Sequence, residues 1–487
     1  MDIGKILKQA VEQHTAGNLI DAEKAYQQVL QINPDHHDAL HFMGVLAYNV
    51  GKHDIAKDYI NRAIKILPSN DGCYNNMGNI YQTQRDYVQA MQWYAKTIEI
   101  NPGNKKAYNN LAVALTKLGN LDQALENFQT ALKIDPNYID AKNNMGETYR
   151  DMGQYDQAMD CFESVLRVWP EYVPARWNRS VLWLLTADFK QGWPEYEWRW
   201  KRAATPQRAI DSGKRWDGSD IYGRTLFVYE EQGVGDTIQF MRYLPLLQKA
   251  GCKVIFETIT PLIRLVEPFK GFDRLWVGIK NLDTRPTDHF DYYVPLLSLP
   301  AICGTTLETI PGTVPYLNAD ENLLKIWKKR IKNDDYFKVG IVWAGHPSHA
   351  NDMRRSVMLN NFKFLKKIEG IKTYSLQKEK YESWTDYDPN QLFDKDLGEE
   401  ISDFADTAAI IENLDLIISV DTAVVHLAGA MGKQVWTLLP FSPDWRWMTN
   451  REDSPWYPTM KLFRQTQPND WDTVFKRVET ELKKHLE

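Results

Sequence analysis

Apolar, small and polar positions in the first half of the chain recur on one beat. Prolines stand at 34, 68, 102, 136 and 170, a constant interval of 34 residues. Alanines at 22, 56, 90, 124 and 158 keep that interval, as do Ala10, Gly44, Gly78, Ala112 and Gly146. Apolar spacing within a unit predicts two antiparallel helices. In the third unit these run from Asn75 to Thr83 and from Tyr87 to Glu99. Gly78 and Ala90 allow close approach there, and Tyr94 fills the groove beside them. Pro102 ends the second helix because it lacks an N–H and would clash with the preceding turn. Turn glycines Gly17, Gly51, Gly119 and Gly153 share the period, with Arg85 standing in once. Six units fit between about residue 3 and residue 206. The sixth is degenerate, with Ser180, Ala187, Gly192 and Tyr196 at its marker positions, which suits a terminal unit that stops a stack and meets another domain.

A 34-residue period with these markers is the tetratricopeptide signature. It predicts an α solenoid over 1–206 that binds a partner or acceptor on its concave face. Asn76, Asn110, Asn144 and Asn178 fall in register on the first helix of successive units. An amide offers two donors and one acceptor, so a row of them can hold an extended polypeptide backbone without reading its sequence. The alternative is polar helix surface that meets only water. The row resembles the asparagine ladder in the repeat domain of O-linked N-acetylglucosamine transferases.

After Trp200 the pattern changes to strand-like runs alternating with helical ones, which predicts parallel sheets with helical crossovers. Strands are expected at Thr225–Tyr229, Lys253–Glu257, Lys338–Trp343, Lys372–Leu376, Leu416–Val420 and Gln434–Leu439. Helices are expected at Asp236–Lys249, Pro261–Phe269 and Trp471–Leu486, the last long enough to pack back across a domain joint. Two α/β halves, 207–320 and 321–487, should enclose a cleft beyond the carboxyl ends of their strands. A link around Leu317–Asn333 joins them.

Three loops after strands carry the candidate chemistry. In Glu230-Glu-Gln-Gly-Val-Gly-Asp236, two glycines permit a tight turn into a helix. Asp236 is either that helix's cap or a general base at the cleft edge. A Gly-x-Gly without a third glycine is not a dinucleotide fingerprint. The stretch 343–356 holds the adjacent Arg354 and Arg355, whose guanidinium groups suit phosphate oxygens, or are surface charges on a solvated loop. In 417–429 a buried strand runs into Asp421-Thr422 and a helix. Thr422 can cap that helix, whose N–H groups can receive a diphosphate. His426 lies one turn on, either facing the site or as a core histidine bonded to backbone.

Gly235-Asp236 at a strand–helix turn, with Asp421-Thr-Ala-Val-Val-His426-Leu427 late in the chain, resembles the heptosyltransferase-like glycosyltransferases of the GT-B fold. With the repeats in front, the chain resembles bacterial tetratricopeptide-repeat glycosyltransferases. Trp343-Ala-Gly345, Ser375-Leu-Gln-Lys-Glu379, the run from Leu439 to Trp447 and Arg451-Glu-Asp-Ser-Pro-Trp-Tyr457 fit that group. The resemblance implies Asp236 as the catalytic carboxylate. It implies donor binding by Gly235, Arg354, Arg355, Gln377, Lys378, Asp421, Thr422 and His426, and acceptor binding by Asn76, Asn110, Asn144 and Asn178. No pattern fixes a heptose donor.

A diphosphate leaving group needs positive charge where negative charge develops, more than it needs an acid. Helix N–H groups near Thr422, with Arg355 and Lys378, can supply this without a metal. Asp236, with an ordinary pKa of about 3.9, is a weak base that works if the hydroxyl proton leaves late. One base and no second carboxylate nucleophile predict inversion. The triplets Asp386-Tyr-Asp388 and Asp394-Lys-Asp396 lie in an acidic, loop-like stretch and read as solvated surface. Trp445, Trp447 and Trp456 can stack on a ligand or pack between domains.

Composition narrows the classes. Acidic residues number 64 against 58 basic ones, and no basic block points to nucleic acid. No run of about 18 apolar residues spans a bilayer. The first residues already belong to a repeat and lack an apolar signal core. Cys73, Cys161, Cys252 and Cys303 have no metal spacing and read as reduced thiols of a cytoplasmic protein. The expected activity is glycosyl transfer from a nucleotide sugar, used as substrate with no cofactor, to a polypeptide hydroxyl on flagellin or another surface protein. Transfer to a lipopolysaccharide or polysaccharide intermediate is the alternative, and a repeat scaffold that binds nucleotide sugar without turnover is the third reading.

Overall fold

The computed structural model describes residues 2–202, 210, 213–278, 289–331 and 334–487. The chain divides into two compact units, one ending at Ala175 and one beginning at Arg176.

The first unit is the tetratricopeptide solenoid. Its helices are α1 (Ile3–Thr15), α2 (Leu19–Ile32), α3 (His37–Asn49), α4 (His53–Ile66), α5 (Asp71–Thr83), α6 (Tyr87–Ile100), α7 (Lys105–Lys117), α8 (Leu121–Ile134), α9 (Ile139–Asp151) and α10 (Tyr155–Val168). The marker positions do what their size requires. Ala10, Ala22, Ala56, Ala90, Ala112, Ala124 and Ala158 are fully buried. At Gly78 a Cβ would stand 2.4 Å from the Tyr94 ring, so glycine is what lets that ring lie against α5. Gly17, Gly51, Gly119 and Gly153 all take positive φ between their helices, and Arg85 takes φ 63° at the same position. An l-residue is strained there.

The sixth helix pair, α11 (Val173–Leu185) and α12 (Phe189–Tyr196), repeats the plan, with Ala187 at φ 67° in its turn. Compactness assigns it, from Arg176 onward, to the second unit. The sixth pair thus continues the repeat plan while packing within the second unit, and the expected boundary at 206–207 lies outside the described residues. Aromatic packing explains the assignment. Trp193 of α12 lies 5.2 Å from Trp445 and 6.2 Å from Phe240, ring centre to ring centre. Phe189 lies 6.2 Å from Trp456. Arg199, in the helical turn after α12, is buried and forks onto Glu231 at 2.9 and 2.8 Å. Trp445 and Trp456 thus pack between elements.

The second unit contains two parallel sheets. The first has β1 (Lys214–Arg215), β2 (Thr225–Tyr229), β3 (Lys253–Ile259), β4 (Arg274–Gly278) and β5 (Tyr292–Pro295) in the order β1-β5-β2-β3-β4. The second has β6 (Phe337–Val342), β7 (Ile371–Ser375), β8 (Lys395–Asp396), β9 (Leu416–Val420), β10 (Val435–Leu439) and β11 (Met460–Arg464) in the order β11-β10-β9-β6-β7-β8. Runs such as Leu416–Val420 are buried throughout, as strands covered on both faces must be. The helices around the first sheet are α13 (Val234–Phe240), α14 (Leu244–Lys249), α15 (Ile263–Val266) and α16 (Leu299–Ile302). Those after it are α17 (Glu321–Arg330), α18 (Asp352–Arg355), α19 (Pro389–Leu392), α20 (Phe404–Glu412), α21 (Ala423–Ala430) and α22 (Trp471–Leu486).

Two expectations are corrected. The single helix Asp236–Lys249 is broken into α13, a tight turn at Met241–Tyr243 and α14. Pro245 stands in the first turn of α14 and has no N–H to continue the ladder from α13. The final helix α22 does not span the joint. Its apolar face (Val474, Phe475, Val478, Leu482) belongs to the core of the second sheet, with Phe475 edge-on to Phe362 at 5.0 Å. The link helix α17 is present within the expected 317–333 stretch, of which 332–333 lie outside the described residues.

Candidate functional site

Strand order places the site. In the first sheet the chain turns from β3 and β4 on one side of β2 to β5 on the other. In the second it turns from β7 and β8 on one side of β6 to β9 on the other. Crevices at such switch points, beyond the carboxyl ends of the strands, are where open α/β sheets bind ligands. The loop after β2 carries Gly235 and Asp236, the loop after β6 carries Arg354 and Arg355, and the turn after β9 carries Asp421 and Thr422.

Helices α13 and α21 pack on each other, which joins the first and third loops. At Gly235 a Cβ would meet His426 Cδ2 at 2.9 Å and Ala423 Cα at 3.5 Å. Only a residue without a side chain fits there. Asp236 does cap α13, its Oδ2 accepting the Gly233 N–H at 2.8 Å. It also reaches into the site, where its Oδ1 pairs with Arg446 Nη2. Burial pushes its carboxyl above the ordinary carboxylate range, and the Arg446 guanidinium pulls the other way. Asp236 is thus a stronger base than its ordinary value implies.

Thr422 caps α21, its Oγ1 accepting the Val424 N–H at 3.3 Å. Asp421 is raised by burial against the pull of Arg355. Its backbone carbonyl accepts from Arg355 Nη1 at 2.9 Å. Arg355 lies against the backbone at Gly345, and its Nε makes no hydrogen bond, with Asp352 Oδ1 3.8 Å away. Arg354 is half-buried at the end of α18.

His426 is buried. Its Nδ1 lies 3.0 Å from the Tyr457 hydroxyl, its ring stacks on Trp447 at 5.2 Å, and its Nε2 is 4.0 Å from Asp421 Oδ1. Loss of hydration, then the Arg446 charge, lower its pKa to about 3, so the ring is neutral. Of the two readings His426 is a buried histidine, held by a side chain where a backbone group was the alternative.

Two donor-site residues have other work. Gln377 is buried and its amide is fully engaged: Oε1 accepts from the Trp343 and Ala344 N–H groups at 3.1 and 3.0 Å. Its Nε2 donates to the Ala344 and Glu379 carbonyls at 3.0 and 2.9 Å. The donor-contact expectation for Gln377 is corrected to that of a staple joining the loops after β6 and β7. Lys378 is exposed and its Nζ donates to the Ser402 carbonyl at 2.6 Å. The Asp-x-Asp carboxylates are likewise engaged. Asp388 caps α19, Asp386 accepts the Asn360 N–H, Asp394 accepts the Thr373 N–H and Asp396 pairs with Lys380. They are structural braces, not the purely solvated surface expected.

In the solenoid the asparagines form a zip. Asn110 Nδ2 donates to Asn75 Oδ1 at 3.3 Å, and Asn144 Nδ2 to Asn109 Oδ1 at 3.0 Å. Asn76 Nδ2 lies 2.8 Å from His41 Nε2. The neighbouring positions Asn75 and Asn109 are thus part of the device, and the doubled Asn-Asn of the third, fourth and fifth repeats was its signal. Asn178 is corrected: it is 4% exposed, too buried to hold a polypeptide, and Trp177 stands beside it where the third, fourth and fifth repeats have asparagine.

Sequence reasoning assigned no role to Arg446, Asp444, Gln239 or Tyr457. Arg446 and Asp444 lie in the Asp444-Trp-Arg-Trp447 run after β10, but nothing local says that they reach α13 more than 200 residues earlier.

Residues 73–104 and 103–171 match the tetratricopeptide repeat family. The chain is 26% identical over 335 residues to Protein FlbA of Caulobacter vibrioides, covering 63% of this chain and 54% of that protein. It thus spans about half the length of the curated relative it matches. Similar solved structures include YrrB, described as a tetratricopeptide protein with an unusual peptide-binding site. That likeness is 21% identical, covers 36% of this chain and 90% of that one, and has a TM-score of 0.30. PilF of Pseudomonas aeruginosa is 17% identical over 40% of this chain and 88% of its own, with a TM-score of 0.36. Among the described residues no helix is long and apolar enough to cross a membrane.

Proposed function

We propose that the chain is a glycosyltransferase that moves a sugar from a nucleotide-sugar donor to a hydroxyl of a polypeptide held by the repeats. The observation that carries this reading is the contact of the Gly235-Asp236 turn with the Thr422–His426 turn at the switch points of two parallel sheets. A carboxylate thereby stands on a helix packed against the capped start of α21, just before which the Asp421 carbonyl accepts from Arg355. In the proposed reaction the acceptor O–H proton passes to Asp236 as the acceptor oxygen bonds to the anomeric carbon. The bond from that carbon to the diphosphate oxygen breaks, and the α21 N–H groups and Arg355 meet the charge that develops. The single base implies inversion, and the helix N–H groups and Arg355 provide the charge that a metal would otherwise bring. The asparagine zip of the solenoid is the proposed acceptor surface, over Asn76, Asn110 and Asn144.

A scaffold that binds nucleotide sugar without turnover has one observation in its favour: both Asp236 oxygens are already engaged. A thermal-shift panel of UDP, GDP, ADP and their sugars separates the outcomes. A ligand at about 100 Kd adds roughly 2.7 kcal/mol to native stability. We expect one nucleotide class to bind, more weakly in Thr422→Ala and Arg355→Ala. Turnover should fall about 10²–10⁴-fold in Asp236→Asn. Binding with unchanged turnover in Asp236→Asn would remove that residue from the mechanism.

A further inference from the structure

Asp236 stands on the helix after the first sheet but takes its setting from the second. Arg446, which pairs with it, is fixed on three other sides. Its Nε donates to Gln239 Oε1 at 3.0 Å and its Nη1 to Asp444 Oδ1 at 2.7 Å. Its guanidinium lies 4.2 Å over the Trp445 ring. The side chain is 9% exposed, so solvent screens the pair little. Gln239 sits one turn after Asp236 on α13, on the same face. Both contributing loops carry backbone strain: Gln232 has φ 65°, and Met448 has φ 52° with ψ −167°. Non-glycine residues persist in such conformations where their surroundings over-determine them, commonly at functional sites.

We infer that Arg446 is the positioning residue of the Asp236 base, turning its carboxylate and holding it ionised, so that the base is complete only while the two sheets are docked. This rests on the glycosyl-transfer reading. The charged and titratable groups around the pair are Asp444 beside Arg446, His349 on the loop after β6, Asp421 and His426 at α21, Glu230 through Thr237, and Tyr196 through Gln232. Burial and Asp444 both favour a proton on Asp236, while Arg446 and the Gly233 N–H oppose it. Without the guanidinium the largest opposing influence on the Asp236 proton is gone. Asp236 would then keep its proton at a pH where the native base is free, and could not take one from an acceptor.

The test uses the full chain and water as acceptor. Nucleoside diphosphate released from UDP-, GDP- and ADP-sugars is followed across the acid limb of the pH–rate profile. In that reaction water adds to the anomeric carbon, its proton goes to Asp236 and then to solvent, and the nucleoside diphosphate leaves. Arg446→Gln should move the acid-limb midpoint up by about one to three pH units, the usual effect of one close opposite charge. Arg446→Lys, which keeps the charge, should restore part of that shift. Gln239→Leu should lower the rate without moving the midpoint. If Arg446→Gln does not fold, the lysine and leucine variants decide. A profile in Arg446→Gln superimposable on the native one overturns this inference and leaves glycosyl transfer standing. No release from any of the sugars by the native protein overturns the glycosyl-transfer reading, and this inference with it.

Discussion

The two units handle buried polar groups in opposite ways. In the solenoid, the bonds from Asn110 to Asn75 and from Asn144 to Asn109 cross to the neighbouring repeat, with partners 35 residues apart and the same pairing recurring along the stack. In the second unit the polar groups that matter meet once, over separations of 210 residues for Arg446 with Asp236 and 214 for Arg242 with the Trp456 carbonyl. Loss of one bond in a repeating row leaves its neighbours intact. Loss of one partner in a unique buried cluster strands every other member. The difference teaches where damage should stay local and where it should spread.

The sharpest test of that contrast is the ion pair. Arg446→Met leaves the largely buried Asp236 and the half-buried Asp444 without their cation and should cost about 3 kcal/mol in urea unfolding. Adding Asp236→Asn should cost less than the sum of the two single changes, because the pair acts as one unit. Additive effects would mean that the second unit behaves like the first. A smaller effect is expected in the solenoid from Gly78→Ala, which drives a methyl against the Tyr94 ring. Overpacking of this kind typically costs about 1–3 kcal/mol, and limited proteolysis should find the damage confined to the first unit. Smaller again is Asn110→Ala, which removes the amide shared between Asn75 and Asn79 of the preceding repeat and should cost about 1 kcal/mol. Asn76→Ala beside it should be near-additive; strong coupling would show the row to be a single network.

The smallest effect has a sign that depends on pH. Burial raises Asp421, so the folded state holds its proton more tightly than the unfolded chain. The stability that Asp421 contributes is therefore full below its unfolded value of about 3.9, and is lost as pH rises through the folded one. Asn cannot ionise. Asp421→Asn should match the native protein near pH 4 and gain on it toward neutrality, read as the difference in urea midpoint. The opposite trend would show Asp421 to be ionised and well paired.

These contrasts also explain what could be read from residues alone. The repeats were legible because each marker's partner lies one helix or one repeat away: Gly78 against Tyr94, the turn glycines at positive φ, Ala90 in the core. The strands Thr225–Tyr229 and Leu416–Val420 and the helix Trp471–Leu486 were legible from local pattern to the residue. Asp236, Thr422 and His426 stood out because each follows a strand or opens a helix. Arg446 and Gln239 did not, since their meaning depends on a long-range docking that no local spacing encodes. Gln377 misled for a related reason: a conspicuous polar residue after a strand looks available until the two loops it joins are seen. Asn178 kept its register while the packing around it changed.

The helix pair α11–α12 carries the repeat spacing, yet its aromatic residues are packed into the α/β unit. A shuffling event that exchanged whole solenoids at residue 206 would tear Phe189, Trp193 and Tyr196 from Trp445, Phe240 and Trp456. The usable seam for swapping one repeat array for another lies earlier, in the turn between α10 and α11. A chimera joined there keeps the sixth pair as a resident adaptor, so new specificities can be tried without reopening the core beneath the site.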